Sequence, residues 1–536
     1  MFDTPGVYVR EIPSGARPIA GVSTSNTAFI GVFERGPVNE AVRVTSYGEF
    51  ERIFGGLFAP GEASYAVQHY FQNGGSVAFI VRVTAGSPAT ATVTLQDTGA
   101  ANVIDINASS EGAWGSNIAV GVAVEAGATD MFTLLVREYI GGRVVREEAF
   151  NDISTNTASP RYCESVVNRD SELITLNQIA GGLPEPNNVG SPAVAALTLD
   201  ALLEAPLAQL TAMSTNGTNG TVPGDAGWPA VASAALRGTE AAGTGIYALN
   251  AIVPEQFNLM CIPDAVTLDV TNNSQLGNMV AIYQEANTYC RNNFAFLLVD
   301  IPGNLDRTNV IANWIAPLGS ARGPNAAAYF PRLEGPDGLD PLNPRSLPTS
   351  GAVAGLYART DSTRGVWKAP AGTEARIAGG APEELLTDRQ HGPLNTAGLN
   401  CLRAFPVYGV INWGARTLDG ADARASEWRY VPVRRLALYI ESSLRRGLQW
   451  VVFEPNDEPL WGQIRLNVGA FMNQLHRQGA FQGASARDAF LVKCDSETTT
   501  QADINLGIVN VLVAFAPVRP AEFVVLRIQQ RTQTAA

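Results

Sequence analysis

From Asn26 onward the chain alternates short apolar runs with segments of helical periodicity: TAFIGVF, then SYGEFERIF, then ASYAVQHYFQNGG leading into VAFIVRV. Such runs read as strands buried on both faces, and the strand–helix–strand order implies a parallel sheet, because parallel neighbours need a crossover connection. The same grammar returns after a long interval, with FNLMCIPD near Asp264, a helical segment over 278–290, FAFLLVDIP ending at Pro302 and AAAYFPRL ending at Leu333. The chain therefore reads as an α/β domain, residues 26–84 and 248–399, interrupted by a long insertion.

Residues 85–247 have another texture. They are rich in Ala, Thr, Gly, Ser and Asn, and pieces such as NIAVGVAVEA and DMFTLLVREY alternate as strands do. A separate β-rich domain is expected there, with STNGTNGTVPGDAG (214–227) as a mobile loop, since turn residues dominate it. Residues 335–350, GPDGLDPLNPRSLPTS, read as proline-rich and extended.

After Asn400 the texture changes again, and residues 400–516 are expected to form an α+β domain. One amphipathic helix is predicted over 433–446, with Leu436, Ile440 and Leu444 on one face and Gly447 as its stop. A second is predicted over 457–478, with Leu460, Ile464, Val468, Phe471 and Leu475 as its stripe and Asp457, Glu458 and Pro459 in its first turn. Three strand-like pieces close the chain: AFLVKCD, GIVNVLVAFAP and EFVVLRIQQ. A length of 536 residues exceeds what one core serves, which agrees with several domains of mixed α/β and α+β class.

Both ends read as arms, residues 1–25 and 517–536. Pro5, Pro13 and Pro18, with Gly6, Gly15 and Gly21, forbid a helix and leave one extended piece, GVYVREI. A strand with no hairpin partner must find a sheet edge, in its own fold or in a neighbour's.

Hydrophobic residues make up 46% of the chain and charged ones 16%, so it is not disordered. The net charge of -13 argues against a protein that wraps nucleic acid. Five scattered cysteines, without C-x-x-C spacing, fit neither a disulfide framework nor a zinc site. The first residues carry no basic stretch followed by an apolar one, and no run approaches the roughly 18 apolar residues of a membrane span. Cytoplasmic assembly without membrane insertion is expected.

Phosphate-loop, dinucleotide-binding, nucleophile-elbow and H-E-x-x-H motifs are all missing from the sequence. His69, His391 and His476 are far apart and read as surface or core residues. The carboxylates Glu454, Asp457 and Glu458 could suggest a glycosidase pair, but acids entering a helix are explained by capping its free N–H groups. No catalytic, cofactor-binding or metal residue is assigned, and an α/β enzyme of unknown substrate stands as the alternative reading.

Several ordered phrases resemble the contractile tail sheath family of phages, R-type bacteriocins and extracellular contractile injection systems. They are TPGVYVREI and TAFIGVFERGPVNEAVRVTSYGEFERIFG near the start, and SLPTSGAVAGLYARTDSTRGVWKAPAG in the middle. LRAFPVYGVINWGARTL, EWRYVPVRRLALYIESSL, QWVVFEPNDEPLW and FAPVRPAEFVVLRIQQ follow near the end. Residues 85–247 fall outside the resemblance and look like the variable outer insertion of such proteins.

The resemblance implies a structural subunit, not an enzyme, that polymerises as a helical sleeve of stacked rings around an inner tube and contracts to drive the tube through a target envelope. It implies as partners further copies of the chain, the tube protein, and baseplate and terminator or cap proteins, within a phage tail or tail-like particle, and no cofactor. It further implies that arm strands pair with sheets of neighbouring subunits. The candidate residues are Val7, Tyr8, Val9 and Arg10 in the first arm, and Phe523, Val524, Val525, Leu526, Arg527 and Ile528 in the second. In this family the C-terminal domain lies against the tube. Between residues 425 and 477 seven arginines stand against five acids, which suits an acidic tube, and Arg465 and Arg477 are the candidate contacts.

Overall fold

The computed structural model describes residues 17–125, 127–185, 199–214 and 216–523. Strand β1 (Thr27–Gly31) is followed by β2 (Ala41–Val44), α1 (Tyr47–Phe54), α2 (Ala63–Gln72) and β3 (Ala78–Arg82). Next come β4 (Thr92–Gln96), β5 (Asn102–Ala108), β6 (Ile118–Ala123), β7 (Met131–Ile140), β8 (Arg143–Ser154), α3 (Cys163–Asp170), β9 (Ile174–Gln178), α4 (Leu199–Leu203) and β10 (Thr211–Ala212).

The chain then returns through α5 (Trp228–Arg237), β11 (Leu259–Cys261), α6 (Asn273–Asn292), β12 (Phe296–Val299) and β13 (Ala326–Phe330). It continues through β14 (Leu333–Pro336), β15 (Pro344–Leu347), α7 (Ser350–Arg364), β16 (Ala381–Pro382), α8 (Asp388–Thr396), β17 (Asn400–Phe405) and β18 (Gly409–Asn412). It ends with α9 (Val431–Gly447), α10 (Glu458–Arg477), α11 (Ala486–Ala489), β19 (Phe490–Lys493), α12 (Gln501–Asn505) and β20 (Leu512–Phe515).

The centre is an eight-stranded sheet in the order β18-β17-β13-β12-β11-β1-β3-β2. Its six inner strands run parallel, and the edge strands β2 and β18 run antiparallel to their neighbours. Both faces are covered, which is why β1, β3, β12 and β13 are buried at every position. Ala28 and Ile30 face a core shared with α5 and α6, while Phe29 faces one shared with α1, α2 and α7.

The sheet runs past the junction expected at residue 399, because β17 and β18 pair onto β13 and complete its edge. The residues expected to be extended over 335–350 include two short strands that close a hairpin, β14 antiparallel to β15.

Between β3 and α5 lies a second unit. One sheet, β10-β6-β7-β8, and another, β4-β5-β9, enclose a common core of Val93, Ile106, Val120, Leu134 and their neighbours. Its extent differs from residues 85–247: Val222, Trp228, Leu236 and Ile246 pack into the core of the large sheet. The loop expected over 214–227 is tied down where Thr218 and Ala89 exchange backbone hydrogen bonds at 3.1 and 2.9 Å and Thr221 N donates to Ala85 O at 2.8 Å. Arg35 reaches across to Glu138 with both oxygens at 2.9 Å, and Arg82 donates to Glu111 O at 2.7 Å, so this unit is clasped to the large sheet.

The third core joins α9, α10, β19 and β20. Pro432 stands in the first turn of α9, and the Asp457 side chain caps α10 through Leu460 N. Ile19, from the segment before β1, is buried in this core.

Candidate functional site

Doubly wound sheets take ligands outside the carboxyl ends of their strands, where strand order reverses. Here the reversal lies between β1 and β11, and Asp264 fills it. Its Oδ2 accepts from Val32 N at 2.6 Å, and its Oδ1 accepts from Glu62 N and Ala63 N at 2.6 and 3.2 Å. The latter two N–H groups open α2 and would otherwise be free for an anion.

Asp300, after β12, treats α7 in the same way, accepting from Ser350 N at 2.8 Å. Burial pushes both carboxyls up to about 6, although the N–H donors favour their charged forms. Arg332 lies beside them, donating to Glu62 Oε1 at 2.7 Å and to Ile301 O at 3.0 Å. The crevice is thus occupied by the chain's own charges. Among the described residues no group of three or more His, Cys, Asp or Glu could hold a metal ion.

His69 is buried with Nδ1 unpartnered, and burial pushes it down to about 4, which keeps it neutral. All five cysteines are buried free thiols.

The more open surface belongs to the C-terminal core. Strands β19 and β20 pair antiparallel as a two-stranded sheet, as the pieces AFLVKCD and GIVNVLVAFAP suggested. Phe490, Val492, Val513 and Phe515 pack on the core behind. Leu491 and Leu512, on the other face, remain 52% and 51% exposed. Among the described residues no third strand joins this sheet, and just past β20 Gln482 N donates to Ala516 O at 2.8 Å.

Both terminal segments are rooted nearby. Arg17 N donates to Asn467 Oδ1 at 3.2 Å and Val22 N to Ser443 Oγ at 3.2 Å, which lays residues 17–22 along α9 and α10. At the other end Glu522 is gripped by the buried Arg416, Nε to Oε1 at 2.7 Å and Nη2 to Oε2 at 2.8 Å, with Tyr430 Oη at 3.2 Å. Burial alone would raise the Glu522 carboxyl, but these partners hold it below its ordinary range. Phe523 follows, 75% exposed. Val7, Tyr8, Val9, Arg10, Val524, Val525, Leu526, Arg527 and Ile528 lie outside the described residues.

Arg465 and Arg477 both sit on α10. Arg465 is engaged within the chain, by Glu458 at 2.5 Å and by Cys494 O. Arg477, exposed in the last turn, has no ion pair among the described residues.

Two features escaped sequence reasoning. The Arg416–Glu522 grip joins positions too far apart for any local pattern. Phe453 is wholly exposed and has φ +70°, a region that residues other than glycine rarely enter.

Residues 424–531 match the family described as phage tail sheath C-terminal domain. A tail sheath protein of Vibrio phage KVP40 is 27% identical over 180 residues, 33% of this chain and 25% of that protein, so the aligned part spans a quarter of this curated relative. The contracted helical sheath of the anti-feeding prophage is 22% identical and superposes with a TM-score of 0.54, covering 99% of this chain and 100% of that one. The contracted sheath complex of the extracellular contractile injection system PVC is 20% identical, again with a TM-score of 0.54, covering 100% and 99%. At these identities the superpositions speak for the fold alone. Residues 424–531 are similar to the phage tail sheath C-terminal domain, and the whole chain has the fold of solved contractile sheath proteins.

Proposed function

We propose that this chain is the repeating subunit of a contractile sheath, a structural protein that polymerises as a helical sleeve around an inner tube and contracts to drive that tube forward. The observation that carries the reading is the β19–β20 sheet, which no third strand joins among the described residues and which lies in the region matching the sheath C-terminal domain. The arm strands around Val7, Tyr8, Val9 and Arg10 and around Phe523 to Ile528 pair with this sheet in neighbouring subunits, joining the sleeve by backbone hydrogen bonds. The unit built on β4–β10 is the insertion, carried on the outer surface. The partners are further copies, the tube protein, a baseplate and a terminator or cap, assembled in the cytoplasm of the producing cell.

Arg477 is the favoured tube contact, being free of an ionic partner among the described residues, while Glu458 already engages Arg465. An α/β enzyme is disfavoured by the Asp264 and Asp300 carboxylates, which fill the helix N-termini that a ligand phosphate would use.

Electron microscopy of the full-length protein, alone and with its tube, tests the reading: hollow sleeves with a helical repeat are expected. Deleting residues 1–16 should leave a folded monomer that forms no sleeves. The deletion must stop there because Ile19 belongs to the C-terminal core. Normal sleeves from that deletion would refute the arm exchange. Reversing the charge of Arg477 should weaken binding to the tube without affecting sleeves made alone, and unchanged tube binding would remove it as a contact.

A further inference from the structure

A phenylalanine wholly in solvent gains nothing from burial, and at φ +70° its backbone carries strain as well. Phe453 has both costs in the isolated chain, between α9 and α10. Its loop is nonetheless held firmly. Asn456 Nδ2 donates to Ile508 O at 3.0 Å, and Trp461 Nε1 donates to Asn456 Oδ1 at 2.9 Å. Val452, Leu506 and Ile508 are also exposed, so the loop presents an apolar knob. Its rim is acidic: Asp457 caps α10 and Glu458 meets Arg465, but Glu454 has no ionic partner among the described residues.

A feature of complementary chemistry lies elsewhere on the same chain. Between α8, the β18 end of the large sheet and residues 518–523 runs a groove of about 750 Å³, lined by Trp367, Trp413, Lys368, Arg403 and Gly392. The acids within it are committed, Asp388 to Arg403 and Glu522 to Arg416. Among the described residues Lys368 Nζ has no ion pair and donates to the carbonyls of Ala369 and Ala371, at 2.9 and 3.5 Å. His391 and Arg403, which line this groove, each carry a buried nitrogen, Nε2 and Nε, that has no partner among the described residues.

We propose that the Phe453 knob of one copy docks in this groove of a second copy, with the Phe453 ring between Trp367 and Trp413 and Glu454 against Lys368. The knob and the groove are different surfaces, so the contact is head-to-tail, and repeating it generates an open helical array instead of a closed dimer. The inference rests on the reading of the chain as a self-polymerising sheath, and it names one contact of that polymer.

The native thiols are all buried, so introduced surface cysteines are the accessible ones. Gly392 is open to substitution, since a side chain there meets nothing within 4 Å. The double variant Phe453→Cys with Gly392→Cys is expected to give, on mild oxidation of assembled sleeves, a ladder of covalent oligomers that neither single variant gives. Phe453→Ala should melt as the wild type does while raising the concentration needed for sleeves about tenfold. Glu454→Lys should do likewise, and Lys368→Glu added to it should restore assembly.

Sleeves without a ladder, or a cross-link confined to single chains, overturn the contact and leave the sheath reading standing. Wild-type protein that forms no sleeves, alone or with a tube, overturns the sheath reading and the contact with it.

Discussion

At Asp264 and Asp300 a carboxyl group is held away from water against the first N–H groups of a helix. Burial raises each to about 6, above the 3.8 of an ordinary aspartate. The folded protein therefore holds a proton that the unfolded chain has released between those values. The stability this contributes is complete below about pH 4 and lost as pH rises through 6, about 3 kcal/mol for each group. Asp300→Asn keeps the acceptor for Ser350 N and replaces an Oδ2 that has no partner among the described residues. Relative to the wild type it is expected to gain about 1 kcal/mol between pH 5 and pH 8, because more than half of the linked stability is already lost at pH 5. Urea midpoints at the two pH values measure this, and an equal loss at both would show that the charged form is the stabilising one. Neither aspartate was legible as a cap, because the N–H groups it serves belong to segments remote in sequence.

Among the elements, the two amphipathic helices near the end were read within two residues of their ends, while the helix expected over 278–290 runs Asn273–Asn292. The second amphipathic helix, expected over 457–478, is Glu458–Arg477, with Asp457 as its cap. Helix α7 was not anticipated. Ala352, Val353, Ala354, Leu356, Tyr357 and Ala358 are all buried, so the segment has no polar face to set against an apolar one. Its glycines matter for contact with α2: a Cβ on Gly351 would stand 1.9 Å from Ala66 O, and one on Gly355 would stand 2.4 Å from Tyr70 O. Gly351→Ala should raise helix propensity yet destabilise the protein by about 3 kcal/mol, since the atoms it meets are backbone and cannot swing aside. Thermal unfolding would show this, and a stabilised variant would mean that the two helices are free to separate.

The whole molecule depends on where the chain leaves and rejoins the large sheet. Ala89 and Thr218 form a hydrogen-bonded antiparallel pair, so the two strands leading into the β-rich unit stand side by side. Replacing residues 90–217 with Asn-Gly, the sequence of a tight hairpin turn, should leave a protein that unfolds in one cooperative transition. Sleeves from that variant would support an outer position for the excised unit, and an aggregated product would show that its clasp through Arg35 and Arg82 is needed for folding. The sequence by itself determined the parallel strands, the amphipathic helices and the paired pieces near the end, because each is written in a local period of apolar residues. Only the tertiary structure decided that β17 and β18 complete the large sheet, that residues 222–246 belong to its core, that Asp264 and Asp300 fill its crevice, and that Phe453 stands in water. These depend on which distant segments meet, and local periodicity does not encode that.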